Sequence, residues 1–180
     1  QLAPLRQSLD QDTKLILVKS IVLSNLNYCT QVYGPCLSEY DKIKLQKIQN
    51  SCVRFIINVP RFQHISPYIK LLKELKLNEQ RFLHYVNFIK KILETHVPEY
   101  LFAKMIKRNE INIRDLRHVD QRLEIPVHRT AKFQSSFSYL ASHINNNFLI
   151  YLNASSSCIK KRIKSDILNG HDINVNVRRF

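Results

Sequence analysis

Apolar residues recur at helical spacing along much of this chain, in stretches separated by clear stop signals. Leu15, Val18, Val22, Leu26 and Cys29 stand three or four apart, and Ile16, Leu17, Ile21 and Leu23 widen the stripe well beyond one face. This predicts a helix over residues 12–29 that is packed on more than one side. A Gly34-Pro35 break follows. Ser38 and Asp41 then have the spacing of a capping box, which marks a second helix start. Leu45, Ile48, Cys52, Phe55, Ile56 and Val59 form its predicted apolar face, and Pro60 ends it. Ser66-Pro67 predicts a third helix over 66–75, and Asn78 opens a fourth. Phe82, Val86, Ile89 and Leu93 form the apolar row of that fourth helix, widened by Tyr85, Phe88 and Ile92, and Pro98 sets its end near His96.

Past residue 107 the periodicity weakens. INIRDLRHVDQRLEIPVHRT alternates irregularly and carries Pro126, which predicts extended chain and loop with at most one short strand. Helical spacing returns over 135–152 and over 155–168, where Ile159, Ile163, Ile167 and Leu168 oppose Lys160, Lys161, Arg162 and Lys164. The residues after Gly170 have little to bury and are expected to be mobile.

Charge changes this picture most. The 180 residues hold 28 Lys and Arg against 14 Asp and Glu, a net +14, with 44% apolar residues to build a core. A surplus of this size on a folded chain points to a polyanion, with nucleic acid as the first expectation and an inert basic surface as the alternative. Lys44, Lys47, Ser51 and Arg54 fall on one flank of the second helix. That flank is either a phosphate track, with the Ser51 hydroxyl as a neutral donor, or a solvated charged edge.

Other chemistries find little support. Cys29, Cys36, Cys52 and Cys158 lack paired zinc-site spacing, and Cys52 reads as a buried thiol. Gly34 and Gly170 are the only glycines, so there is no phosphate-cradling glycine loop. The histidines are spread singly, and His64 reads as a loop or capping residue. No apolar run approaches the ~18 residues of a membrane span, and no signal peptide is visible, so cytoplasm and nucleus are the expected settings. The chain begins at Gln1 and its only methionine is Met105, which predicts a piece of a longer polypeptide.

Several segments, in order, carry a family likeness. KLILVKSIVLSNLNYCTQVYG is followed by KLQKIQNSCVRFIINVPRFQHISP, HISPYIKLLKELKLNEQR, KILETHVPEYL and LEIPVHRTAKFQSSFSYLA, then by a closing basic helix. This succession resembles the region after the palm in non-long-terminal-repeat (LINE-like) retrotransposon reverse transcriptases, particularly the jockey-like branch. Tyr33 stands where that family often has Trp, and HINNNF replaces its usual L-W-N.

The resemblance implies a mostly α fold: a thumb-like helical bundle over 1–106 with an irregular, partly helical C-terminal tail over 107–180, the post-thumb region. It implies the C-terminal, nucleic-acid-gripping part of an RNA-directed DNA polymerase, with RNA template, DNA primer and the rest of the reverse transcriptase polypeptide as partners, and no membrane. The family's catalytic palm carries an Asp-Asp pair, whereas the seven aspartates here are dispersed with no two adjacent. Two divalent ions about 3.5 to 4 Å apart need clustered carboxylates. The chain is therefore expected to be inactive alone and to hold no cofactor, while the parent enzyme would use a divalent metal, Mg. Charge and helical position, not the family match, select the nucleic-acid-binding candidates: Lys44, Lys47, Arg54 and Arg61 first, then Lys90, Lys91, Arg129 and Lys132. A helical protein-interaction module and a decayed element fragment are the alternative readings.

Overall fold

The computed structural model describes residues 3–108, 122–148, 152 and 156–169. It is mostly helical. Asp10 starts the first helix by accepting the Thr13 N–H at 3.1 Å, a contact that also lowers its carboxyl pKa. Helix α1, Gln11–Leu17, then runs without a break through a π segment, Val18–Leu23, into α2, Ser24–Asn27. Lys14, Val18 and Leu23 are its buried positions, while Ile16 and Ile21 are exposed. The expectation that this helix is packed on more than one side therefore fails among the described residues. A short α3, Thr30–Tyr33, follows Cys29, whose φ of 50° turns the chain.

Helix α4, Glu39–Ile57, starts where the capping box predicts. The Ser38 hydroxyl accepts the Asp41 N–H at 3.2 Å and donates to the Asp41 carboxylate at 2.6 Å. Its buried stripe is Lys42, Gln49, Val53 and Ile56, so the inward face is rotated from the predicted one, and Ile48 is exposed. A polar joint causes the rotation. Gln49 donates to the Leu75 carbonyl at 2.7 Å and accepts the Leu77 N–H at 3.1 Å. Gln80 donates to the same carbonyl at 2.7 Å, and Asn27 donates to Gln80 at 3.0 Å. Buried backbone groups left without partners would cost about 1–3 kcal/mol each, so these amides fix how α4 meets the turn before the next long helix.

Helix α5, Ser66–Leu71, is shorter than predicted, because Lys73 takes a φ of 52° and closes it. Helix α6, Leu77–Thr95, starts with the Glu79 carboxylate accepting the Lys76 N–H at 2.8 Å and ends at His96 with a φ of 57°. Phe82, Val86, Ile89 and Ile92 on α6 are fully buried, and Tyr85 nearly so, with burial pushing its phenol pKa up. A short α7, Glu99–Phe102, follows.

Two further helices cover α6: α8, Phe137–Asn147, after a 3-10 turn at Ala131–Ser135, and α9, Ser156–Leu168. Leu140, Ala141, Ile144, Ile159 and Ile163 join the α6 row in one core, and Phe82 meets Phe148 edge to face at 4.9 Å. This core draws on both sides of the expected boundary at residue 106. Two smaller clusters pack α1 and α5 against α4: Val18, Leu23 and Ile56 in one, Val53, Ile65 and Ile69 in the other. Between α7 and α8 the described strand character is one antiparallel bridge, Lys107 to Leu123. The rest of the expected loop, at 109–121, and the segment after Gly170 lie outside the described residues.

A fully buried aromatic side chain contributes roughly 1.5–3 kcal/mol by area and leaves a cavity when truncated. Phe82→Ala is expected to cost about 3–5 kcal/mol in urea unfolding. Phe55 is half-buried on α4, so Phe55→Ala should cost distinctly less. Equal costs would mean that the core is not centred on α6.

Candidate nucleic-acid interface

The inward rotation of α4 leaves an outer edge on which Lys47, Ser51 and Arg54 recur at i, i+4 and i+7. This edge, with Arg6, Asn50, Phe55 and Arg61, lines a cavity of about 540 Å³ at the C-terminal end of the helix. Four of the lining residues are cationic and none is acidic.

The loop after α4 forms the other wall. Asn58 takes a φ of 60° and ends the helix, and Gln63 closes a turn onto the Pro60 carbonyl at 3.2 Å. Arg6 reaches the carbonyls of Val59 at 2.7 Å and Arg54 at 3.4 Å, while Lys14 donates to Asn58 Oδ1 at 3.1 Å. The last carbonyls of a helix lack intrahelical partners and carry the negative end of its dipole, so two cations there are stabilising. Arg54 donates to the Gln63 carbonyl at 3.4 Å, and its Nε is buried with no hydrogen-bond partner among the described residues.

A second cavity of about 440 Å³ shares Arg54 and Asn50 with the first. Lys76, His64, Ser66 and Phe62 are on its wall, again with no carboxylate. Arg54 and Asn50 thus line both of two acid-free hollows.

Of the residues expected to bind nucleic acid, the fold brings Lys47, Arg54 and Arg61 together. Lys44 lies outside the cavity, its ammonium 4.1 Å from the Tyr40 ring centre. Ser51 donates its hydroxyl proton to the Lys47 carbonyl at 2.9 Å, so it is not the free neutral donor expected there. Lys90 is buried at 6% exposure and donates to the Leu152 carbonyl at 2.9 Å, with Glu94 at 3.2 Å. That geometry ties α6 to Leu152 and turns Lys90 away from solvent. Lys91, Arg129 and Lys132 are exposed but line neither cavity. Sequence reasoning misses Arg6 and Lys76; neither stands in a periodic pattern, and Arg6 reaches the site only through contacts about fifty residues away.

A third hollow of about 380 Å³, between α2, α6 and α9, is less uniformly charged. Glu74 lines it and pairs with Lys19 at 2.7 Å, while burial, with Lys160 nearby, lowers the His84 pKa. Cys29, Cys36 and Cys158 are exposed, and burial raises the Cys52 thiol pKa. Among the described residues no three His, Cys, Asp or Glu side chains are placed to hold a metal ion, and no helix is long and apolar enough to cross a membrane. No family model, no curated protein and no solved structure matches the chain.

Lys47 and Arg61 are both exposed, so changing them together to Gln should alter stability by no more than about 0.5 kcal/mol each. Duplex affinity should fall, and the salt slope of binding should drop by about one for each phosphate that is no longer neutralised. Melting and binding titrations on the double variant check both halves, and an unchanged salt slope would remove this cavity from the interface.

Proposed function

We propose that this chain is the C-terminal, nucleic-acid-gripping part of a retrotransposon RNA-directed DNA polymerase, holding template and primer through phosphate contacts. The observation that carries the reading is the acid-free cavity of Arg6, Lys47, Arg54 and Arg61 at the end of α4. The ordered sequence likeness to the post-palm region of LINE-like reverse transcriptases supports it, as does the +14 charge.

Gripping needs charge and geometry, not a reacting group. A guanidinium presents a planar fork of donors that matches phosphate oxygens two at a time, and it stays charged at any physiological pH. Arg54 and Arg61 supply such forks, with Lys47 as a point charge beside them. Contacts of this kind position the nucleic acid without reading its sequence. In the parent polypeptide, polymerisation would fall to carboxylates and divalent metal in the palm, and this chain would keep the primer–template seated there.

One observation favours a second reading, a helical module that docks protein. Ile16, Tyr28 and Val32 are exposed at 65%, 75% and 76% along the first helical stretch. Such residues are better suited to an apolar surface than to phosphate.

Salt separates the two. If about four phosphates are neutralised, affinity for a primer–template duplex should fall by about two decades between about 50 and 200 mM salt. No binding at the low end, or a curve that ignores salt, would contradict the phosphate grip and favour the docking module.

A further inference from the structure

Phe62 is the most exposed large apolar residue described, at 98%. It stands on the loop between α4 and α5, flanked in sequence by Arg61 and Gln63. Its ring lines the second cavity, whose wall includes Arg54, His64 and Lys76 and no carboxylate. Arg61 lines the first cavity, with Lys47 and Arg54. The loop holding the ring is anchored at both ends: Arg6 and Lys14 grip its start, and Gln63 donates to the Tyr68 hydroxyl at 2.5 Å near its end.

We infer that Phe62 is a stacking platform for an unpaired nucleobase, whose flanking phosphate lies in the adjoining cavity on Lys47, Arg54 and Arg61. The inference rests on the phosphate-grip reading and adds to it a ligand class: a single strand, or the unpaired end of a duplex.

A base has an apolar face and a charged backbone on either side of it, and the two hollows that Arg54 lines offer surfaces suited to each. Base–aromatic stacking accepts every base, because each has a π-face, and pairs naturally with a cationic groove that tracks the backbone. A paired base inside a duplex presents no free face, so the ring can act only where pairing is open. A bare aromatic awaiting a protein partner would explain the exposure of Phe62, but not its place on the wall of a hollow that holds Arg54, His64 and Lys76 without a single acid and adjoins a second acid-free one.

The test compares a labelled single strand of about ten nucleotides with an abasic strand of the same length, which keeps every phosphate and removes every base. The full chain should bind the base-bearing strand roughly tenfold tighter. Phe62→Ala should erase that ratio and leave abasic binding and its salt slope unchanged, since the side chain it removes touches solvent almost everywhere. Phe62→Trp should restore the ratio. The chain contains no other tryptophan, so its emission reports position 62 alone and should be quenched by the base-bearing strand. A ratio near one in the unaltered chain, or Trp emission unmoved at saturation, overturns the stacking role while the phosphate grip stands. Equal weakening of both strands in Phe62→Ala also overturns it, by making Phe62 a support of the loop. Failure of the unaltered chain to bind either strand at low salt overturns the grip itself.

Discussion

Burial of α6 on nearly all sides is the constraint from which the rest of the fold follows. Phe82, Val86, Ile89 and Ile92 have no solvent contact, and the polar residues Gln80, Arg81 and Lys90 on the same helix are buried as well. A helix sunk this deeply must give each polar side chain a partner or lose stability. Gln80 turns to the Leu75 carbonyl, Arg81 donates to Asn78 at 2.9 Å, and Lys90 reaches Leu152. The first and last of these contacts tie α6 to the turn ahead of it at Leu75 and to Leu152.

The candidate interface is a consequence of that arrangement. Gln49 is committed to the backbone at Leu75 and Leu77, which sets the rotation of α4 about its own axis. With Lys42, Gln49, Val53 and Ile56 facing inward, Lys47, Ser51 and Arg54 fall on the outer edge. The C-terminal end of α4 is then closed by Arg6 and by the buried Lys14, cations placed at the negative end of the helix dipole. Capping and binding share chemistry here: Arg6 donates to carbonyls at the helix end and also lines the cavity beside it.

Local chemistry is legible in the sequence, and long-range pairing is not. The Ser38 cap and the α6 row with its end near His96 are set by neighbours a few residues away, whereas α4 ends at Asn58, short of the expected stop at Pro60. Periodicity misplaces the face of α4 because it counts apolar residues, and this helix buries a glutamine and a lysine instead. Their partners lie elsewhere in the chain for the glutamine: the Leu75 carbonyl is 26 residues from Gln49. Lys90 is a binding candidate by charge alone, yet its partner at Leu152 lies 62 residues on. Lys47, Arg54 and Arg61 are readable from helical geometry and the adjacent loop, whereas Phe62 is not, since an aromatic beside a helix end is ordinarily taken as core.

Lysine footprinting tests most directly whether the α4 cavity holds the phosphates. The protein is acetylated at low salt with and without saturating primer–template duplex, and modification at each lysine is read by mass spectrometry. Lys47, in the cavity, should be protected by the duplex, while Lys91 and Lys132, exposed but outside it, should react as in the free protein. Unchanged modification of Lys47 with protection at Lys91 or Lys132 would place the nucleic acid on another face and contradict the account.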